Sequence, residues 1–315
     1  MSGLLRFARN EGLISLTLFI TLAISISAQG QDAGTLHPKP LPPIANPDDP
    51  GVPAKELFGR RATAAKMIAK PIGFYSRGCL AGADMLPIDG EAWQVMRLSR
   101  NRNWGHPDLV SFLQRAAFQM RQQNIWPGLL VGDMSQPRGG PMLTGHASHQ
   151  IGLDADVWFT PMPDHRLTRQ EREETSATNL VREDWLEVEP QLFGSRHIAL
   201  LKYVAQQSEV ERIFVNPAIK KAICHDARGD RSWLGKIRPF YGHNYHFHIR
   251  LACPAGEESC RAQEPPPKSD GCDKTLDWWF TDEVLHPKPV PTEKQAKPVT
   301  LAQLPGECRA VLNAK

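Results

Sequence analysis

The chain has 315 residues, 41% of them hydrophobic, which is enough for one substantial domain or two small ones. Its formal net charge of +3 is small, and the basic residues are scattered rather than clustered. This balance excludes the electrostatic footprint of a nucleic-acid-binding protein and leaves the function to individual motifs.

The N-terminal residues have the pattern of a secretory signal. Arg6 and Arg9 precede an uninterrupted apolar run at 13–26, and small residues follow up to Ala28. The run is short for a bilayer span, so the pattern predicts a cleaved signal peptide over residues 1–28. An uncleaved anchor is the alternative. After cleavage, no other stretch approaches the length of a membrane span.

The cysteine count fits an oxidising compartment. The six cysteines are Cys79, Cys224, Cys253, Cys260, Cys272 and Cys308. An even number in an exported chain, without a CxxC pair, predicts three disulfides. Fifteen pairings are open to six cysteines, and the sequence alone does not choose among them.

Both ends of the mature chain are rich in proline. Residues 29–69 are expected to form an extended lead-in, and 285–315 a C-terminal strap that repeats the LHPKP string of 36–40. Proline favours polyproline II geometry, so both segments are predicted to lie along a folded body. Cys308 would tie the second segment back to it.

The region between these ends, residues 70–284, carries mixed helix and strand patterns. Helices are predicted at 105–123, 196–207 and 216–227, and strands at 128–133 and 212–215. Asn216 and Pro217 are suited to the N-cap and first position of the third helix. The elements follow no regular βαβ rhythm, which favours an α+β fold.

The segment NYHFHIRL (244–251) alternates like a strand. Its packed face is formed by Tyr245, Phe247, Ile249 and Leu251, and its other face by Asn244, His246, His248 and Arg250. Positions two apart along a strand are about 6.5–7 Å apart, so His246 and His248 can belong to one site. A pair of ordinary histidines on a solvated sheet face is the alternative.

A second alternating segment, LDADVWF (153–159), carries two aspartates on one face. Burying Asp154 and Asp156 on an otherwise apolar strand costs free energy unless a cation, a hydrogen-bond donor or water binds them. His146 and His149 lie just ahead, in a loop flanked by glycines. Nitrogen and oxygen ligands without thiolates suit Zn²⁺ best among the common metals. Asp154 either lines this site or forms a salt bridge with Arg250.

These residues resemble a known family. His149 with Asp156 seven positions later, followed by His246-x-His248, resembles the HxxxxxxD…HxH signature of the lysostaphin/D-Ala-D-Ala-carboxypeptidase/hedgehog-type zinc peptidases. The segments GCLAGADMLPIDG, GHPDLV, GDMSQPRGGP and GHASHQIGLDADVW are similar to those of the penicillin-insensitive murein endopeptidases. The resemblance covers roughly residues 70 to 310.

The resemblance implies a role for each histidine. The implied ligands of a single zinc ion are His149, Asp156 and His248. His246 would act beside the metal without ligating it, and His146 and His243 would line the cleft. The implied fold is a mainly antiparallel central sheet with flanking helices and a metal cleft on one face. The implied disulfides are Cys79–Cys308, Cys224–Cys272 and Cys253–Cys260.

The implied activity is hydrolysis of D-alanyl–meso-diaminopimelyl crosslinks in murein, in the periplasm, without an acyl-enzyme serine and hence insensitive to β-lactams. A D,D-carboxypeptidase using the same zinc site is the nearest alternative. A non-catalytic zinc-containing scaffold that binds the cell wall is the second.

Two further features carry expectations. Arg138, in a glycine-rich loop near the first motif, is predicted to contact substrate carboxylates. Trp278 and Trp279 are expected to pack in the core or against the C-terminal strap, with a wall of the cleft as the alternative.

Overall fold

The computed structural model describes residues 33–287 and 297–315. The strands are β1 (Lys70–Phe74), β2 (Arg77–Ala81), β3 (Asp84–Met85), β4 (Trp93–Val95), β5 (Trp104–Gly105), β6 (Leu129–Val131), β7 (Asp154–Trp158), β8 (Val210–Val215), β9 (Ile237–Pro239) and β10 (His246–Leu251). The α-helices are α1 (Ala54–Phe58), α2 (Pro107–Gln122), α3 (Arg169–Glu174), α4 (Ser195–Ala205), α5 (Pro217–Asp226), α6 (Lys274–Asp277), α7 (Asp282–Leu285) and α8 (Glu307–Asn313). Short 3-10 helices include Leu98–Arg100, Ser232–Lys236, Trp278–Phe280 and Leu301–Gln303.

Some sequence predictions fall outside these ranges. The expected signal peptide at 1–28 lies outside the described residues, as do positions 29–32 of the lead-in and 288–296 of the strap. Within the described ranges, no helix combines the length and apolar character that crossing a membrane requires.

The centre of the fold is a mixed sheet of six strands in the order β4-β6-β7-β10-β8-β9. The three inner pairs are antiparallel, whereas the outer pairs β4–β6 and β8–β9 are parallel. The α+β class is therefore confirmed. The sheet is mainly antiparallel as expected, but the parallel pair at each edge was not predicted.

The register of β7 and β10 puts the two polar patterns together. His248 lies opposite Asp156, and Arg250 lies opposite Asp154. Directly opposed residues of antiparallel strands lie on the same face of the sheet, so these four side chains lie together on one face. The other face is apolar and fully buried, and includes Ala155, Val157, Phe247 and Ile249.

Helices α2, α4 and α5 pack on the apolar face, because their buried leucine and isoleucine side chains share one hydrophobic cluster with the sheet. Burying each such side chain contributes about 1.5–3 kcal/mol. Helix α5 begins as predicted: the Asn216 side chain accepts a hydrogen bond from the Ala218 N–H, and Pro217 takes the first position.

The two ends of the chain meet in a second cluster. The Ala54 N–H donates to the Val299 carbonyl at 2.8 Å. Helix α8 buries Cys308, Val311 and Leu312 against the cluster. The end of the chain is thus helical and part of a core, which differs from the extended strap expected there.

Three disulfides close the fold: Cys79–Cys308, Cys224–Cys272 and Cys253–Cys260, with Cα–Cα distances of 5.7, 5.6 and 5.7 Å. They are the same pairs that the family resemblance implied. Their Cα separations fall in the ordinary disulfide range.

Candidate metal centre

The loop before β7 delivers His149 to the polar face of the sheet. His149 has a φ of 65°, a left-handed conformation that non-glycine residues rarely adopt. Its N–H donates to Asp154 Oδ2 at 3.0 Å, and the Ser135 hydroxyl donates to its carbonyl at 2.7 Å. Both contacts hold the loop in this conformation, and the imidazole is fully buried.

Two histidine nitrogens approach one oxygen of Asp156 beside β7. Asp156 Oδ1 lies 3.4 Å from His149 Nε2 and 3.4 Å from His248 Nδ1. A tetrahedral zinc ion with bonds of about 2.0–2.1 Å separates its ligand atoms by about 3.3–3.4 Å, so the spacing fits. His149 Nε2 and Asp156 Oδ1 are both buried without a hydrogen-bond partner among the described residues. Such orphaned atoms are costly, and a bound cation satisfies both.

The hydrogen bonds of the two histidines leave their inward nitrogens free of protons. His149 Nδ1 lies 2.8 Å from the Met134 carbonyl, which can only accept, so Nδ1 donates and Nε2 keeps its lone pair. His248 Nε2 lies 2.9 Å from Asp154 Oδ1, so Nδ1 keeps its lone pair. Burial lowers the pKa of His248 to about 4. In each ring the nitrogen that faces Asp156 is thus the one left to bind a metal ion.

Asp154 connects the two histidines behind this cluster. Besides its contacts to His149 and His248, its Oδ1 accepts from Arg250 Nε at 2.7 Å. Burial would raise the pKa of Asp154, but Arg250 and His248 hold it well below its usual value. The salt bridge with Arg250 considered from the sequence is present, and Asp154 is fully buried between Arg250 and His248.

His146 offers a different third ligand. Its Nδ1 lies 3.5 Å from Asp156 Oδ2, and ligand atoms of His146, His149 and Asp156 all lie within 4.8 Å of one another. Its Nε2 lies 3.0 Å from Asp133 Oδ2. Burial lowers the pKa of His146, but Asp156 and Asp133 more than offset this and raise it. His149 and Asp156 are common to both arrangements.

Asp133 is a site residue that the sequence reading missed. Its buried Oδ2 accepts from Arg100 at 3.0 Å and from Arg102 at 2.8 Å, besides its contact with His146. The backbone N–H of Asp156 donates to the Asp133 carbonyl at 2.9 Å. The available signal was its place after the buried run GLLVG, where an aspartate ends a strand.

His246 stands next to the cluster without joining it. Its Nε2 lies 3.6 Å from Asp156 Oδ2, and its Nδ1 is buried with no partner among the described residues. Burial lowers the pKa of His246 to about 3, so the ring is neutral near pH 7. The His243 ring lies 4.9 Å from that of His246, and its φ of 54° places it in the turn before β10.

The prediction that Arg138 contacts substrate is wrong. The side chain is buried, and its guanidinium donates to the carbonyl groups of Thr63, Val311, Leu312 and Ala314. Its Nη1 donors are used at the C-terminal end of helix α8, so Arg138 holds the chain end in place.

The arrangement defines a class of protein. Structural zinc sites have four protein ligands, whereas catalytic sites use three and leave one position open. The site combines two imidazoles and one carboxylate beside the central sheet, and a further neutral histidine lies next to them. This is the donor set of a metal-dependent hydrolase.

The comparisons with known proteins narrow this class. The penicillin-insensitive murein endopeptidase family model matches residues 71–313. The chain is 44% identical over 245 residues to the penicillin-insensitive murein endopeptidase of Klebsiella pneumoniae, covering 78% of this chain and 86% of the relative. It is 42% identical over 253 residues to that of Haemophilus influenzae, covering 78% and 83%. The chain belongs to the penicillin-insensitive murein endopeptidase family, a metallopeptidase family, as its motifs predicted.

Proposed function

We propose that the chain is a zinc endopeptidase that hydrolyses the D-alanyl–meso-diaminopimelyl amide of murein crosslinks, with one zinc ion held by His149, Asp156 and His248. The approach of His149 Nε2 and His248 Nδ1 to the same oxygen of Asp156, with that oxygen and His149 Nε2 buried and unpartnered among the described residues, carries the proposal. Murein as the substrate is supported by the relatives, which are described as murein endopeptidases.

His248 is favoured over His146 as the third ligand for a geometric reason. His149 Nε2 and His248 Nδ1 both approach the same oxygen, Asp156 Oδ1, and each ring has its other nitrogen fixed by a hydrogen bond. His146 approaches the other oxygen of Asp156, and Asp133 shares its ring. It is proposed to line the cleft, as is His243.

The surrounding residues support hydrolysis without a covalent intermediate. Zinc bound here would polarise the scissile carbonyl and lower the pKa of a water ligand. His246 is buried, neutral and not required for binding the ion. It is proposed to act beside the ion, either by taking the proton of the attacking water or by stabilising the oxyanion of the tetrahedral intermediate. A mechanism without an acyl-enzyme serine explains insensitivity to β-lactams.

The proposed compartment is the periplasm. The apolar run at 13–26, followed by small residues, supports export, and three disulfides without a free cysteine among the described residues suit an oxidising environment. The peptidase domain proposed here spans residues 70–284, between the two proline-rich segments.

The test is incubation of the mature protein with crosslinked diaminopimelate-type muropeptide dimers, analysed by mass spectrometry with and without a chelator. We expect dimers to become monomers, and the chelator to block the reaction. His246→Ala is expected to lower kcat by about 10²–10⁴-fold while zinc content stays the same.

Other outcomes would replace the proposal. Release of free D-alanine from uncrosslinked pentapeptide, with dimers intact, would make the chain a carboxypeptidase. Stoichiometric zinc without any product would favour the non-catalytic scaffold. Full activity of His246→Ala would show that His246 has no role in catalysis.

A further inference from the structure

Aromatic side chains form a continuous series from the metal centre to the surface. From His246, ring contacts pass to His243 at 4.9 Å and from there to Phe240 at 5.6 Å. Phe240 contacts Trp279 at 6.4 Å, which contacts Trp278 at 5.1 Å. We call Phe240, Trp279 and Trp278 the aromatic row. It begins beside the reacting groups and ends in solvent.

The row is more exposed than large aromatic side chains usually are. Trp278 is 52% exposed and Phe240 is 50% exposed, and Tyr241 beside them is 49% exposed. Trp278 therefore does not pack in the core, which was one of the positions expected for it from the sequence. Contiguous exposed aromatic surface marks a binding site more often than scattered apolar residues do.

A cavity of about 210 Å³ adjoins the row. Its lining includes Trp185, Tyr241, Trp279, Val284 and Leu285, and none of the described residues around it carries a charged side chain. Lys221, whose ammonium lies over the Phe280 ring at 5.0 Å, is paired with Glu187 at 2.5 Å. A ligand of this surface is therefore expected to be uncharged, with flat apolar faces.

We propose that the aromatic row and its cavity bind the glycan part of murein, with N-acetylated sugar rings stacked on Trp279 and Trp278. This inference rests on the proposed function, which places the peptide crosslink at the metal centre. The peptide stems of murein carry carboxylates and amines, whereas an N-acetylated sugar ring is neutral and presents an apolar face. Tryptophan and tyrosine combine an apolar ring with a polar N–H or O–H at its edge, which matches a ring rimmed by hydroxyl and acetamido groups.

The position of the aromatic row affects which crosslinks the enzyme prefers. Because the row leads directly to His243 and His246, a glycan held there keeps its own crosslink close to the metal centre. The enzyme would then distinguish crosslinks that are still attached to glycan from free crosslinked peptides, and the difference would appear in KM.

The first experiment compares two substrates that differ only in sugar. Crosslinked dimers are assayed with their disaccharides and after removal of the sugars by an amidase. The wild-type protein is expected to favour the sugar-bearing dimer about tenfold in kcat/KM, which corresponds to about 1.4 kcal/mol. Trp278→Ala and Trp279→Ala should each remove most of this preference through KM, with kcat and the sugar-free reaction unchanged.

Two matched variants control for folding and for aromatic surface in general. Phe118→Ala removes an aromatic side chain that is 43% exposed on helix α2, away from the row, and should change neither reaction. Trp279→Phe keeps a stacking ring and should retain part of the preference. Equal use of both dimers by the wild-type protein overturns the proposal, as does an equal loss on both dimers in the tryptophan variants.

The second experiment measures binding without hydrolysis. Tryptophan fluorescence of the full chain is titrated with chitotetraose, a peptide-free chain of N-acetylglucosamine, and a saturable change that both tryptophan variants lose is expected. That result, together with no cleavage of any dimer, would support the glycan site and overturn the endopeptidase. If the protein cleaves dimers but shows neither a fluorescence response to the sugar nor a preference for sugar-bearing dimers, the endopeptidase is supported and the glycan site is overturned. Binding to anionic phospholipid vesicles that depends on the tryptophans, with no response to the sugar, would overturn the proposal in favour of a lipid surface.

Discussion

Replacing Asp154 with asparagine tests the hydrogen-bond network behind the metal centre. One carboxylate oxygen accepts from His248 Nε2 and Arg250 Nε, and the other from the His149 N–H and Arg250 Nη2. An amide nitrogen at either position would face two donors. Whichever way the asparagine turns, it loses two hydrogen bonds and leaves the buried Arg250 charge without its anion.

Asp154→Asn is expected to change both the stability of the fold and the affinity for zinc. Removing one partner of a buried ion pair costs about 3–5 kcal/mol, so Asp154→Asn should lower the free energy of unfolding of the metal-free protein by that amount. Loss of a carboxylate that orients a ligand histidine weakens metal binding by about 10–100-fold. That change corresponds to about 1.4–2.7 kcal/mol in zinc affinity.

The assays are urea unfolding of the metal-free protein and competition for zinc against a chromophoric chelator. Asp133→Asn is the matched control, because Asp133 is also a buried carboxylate paired with arginine and histidine, but its partner is His146. It should lower stability and change zinc affinity less than about threefold. If Asp133→Asn weakens zinc binding and Asp154→Asn does not, the third ligand is His146 and the reasoning is refuted.

Three more predictions follow from the described contacts. Burial lowers the folded-state pKa of His246 to about 3 and of His248 to about 4, below about 6.5 in the unfolded chain, so the unfolded state takes up protons first as the pH falls. The free energy of unfolding of the metal-free protein should therefore fall by about 2 kcal/mol per histidine between pH 7 and pH 5. The raised pKa of His146 offsets part of this loss. Urea unfolding at both pH values measures the change, and unchanged stability would contradict the prediction. Cys79→Ser with Cys308→Ser should lower stability by about 2–5 kcal/mol, measured by thermal unfolding, and an unchanged Tm would show that the other contacts of helix α8 suffice. Arg138→Ala should destabilise the fold, because it leaves buried carbonyl groups without a donor, yet leave KM for crosslinked dimers unchanged; a raised KM in the folded variant would restore a substrate role.

The sequence predicted the elements whose pattern is local. The alternation around His246 and Asp156 identified the two strands that form the centre of the sheet, and the Asn216-Pro217 pair identified the start of a helix. Such patterns depend on neighbours one to four positions away, so they can be read without knowing the rest of the fold.

Contacts between distant segments were beyond such reading. Arg138 looked available because its loop is rich in glycine, but three of its four acceptors lie more than 170 positions away, at the end of helix α8. Asp133 looked like the end of a strand because its partners Arg100 and Arg102 lie on a separate segment. The parallel edge strands of the sheet depend in the same way on long-range pairing, which hydrophobic alternation does not encode.

The nesting of the three disulfides has a consequence for the order in which the protein can be assembled. Cys253–Cys260 lies within the loop closed by Cys224–Cys272, and both lie within the loop closed by Cys79–Cys308. Since a chain is synthesised from its N-terminus, Cys79 appears first of these six cysteines, and its partner Cys308 appears last of the six. Every cysteine that it meets earlier is a wrong partner. Pairing in order of appearance therefore gives wrong disulfides, so Cys79 either stays reduced until Cys308 is available or is released from a wrong partner by thiol exchange, which takes seconds to hours.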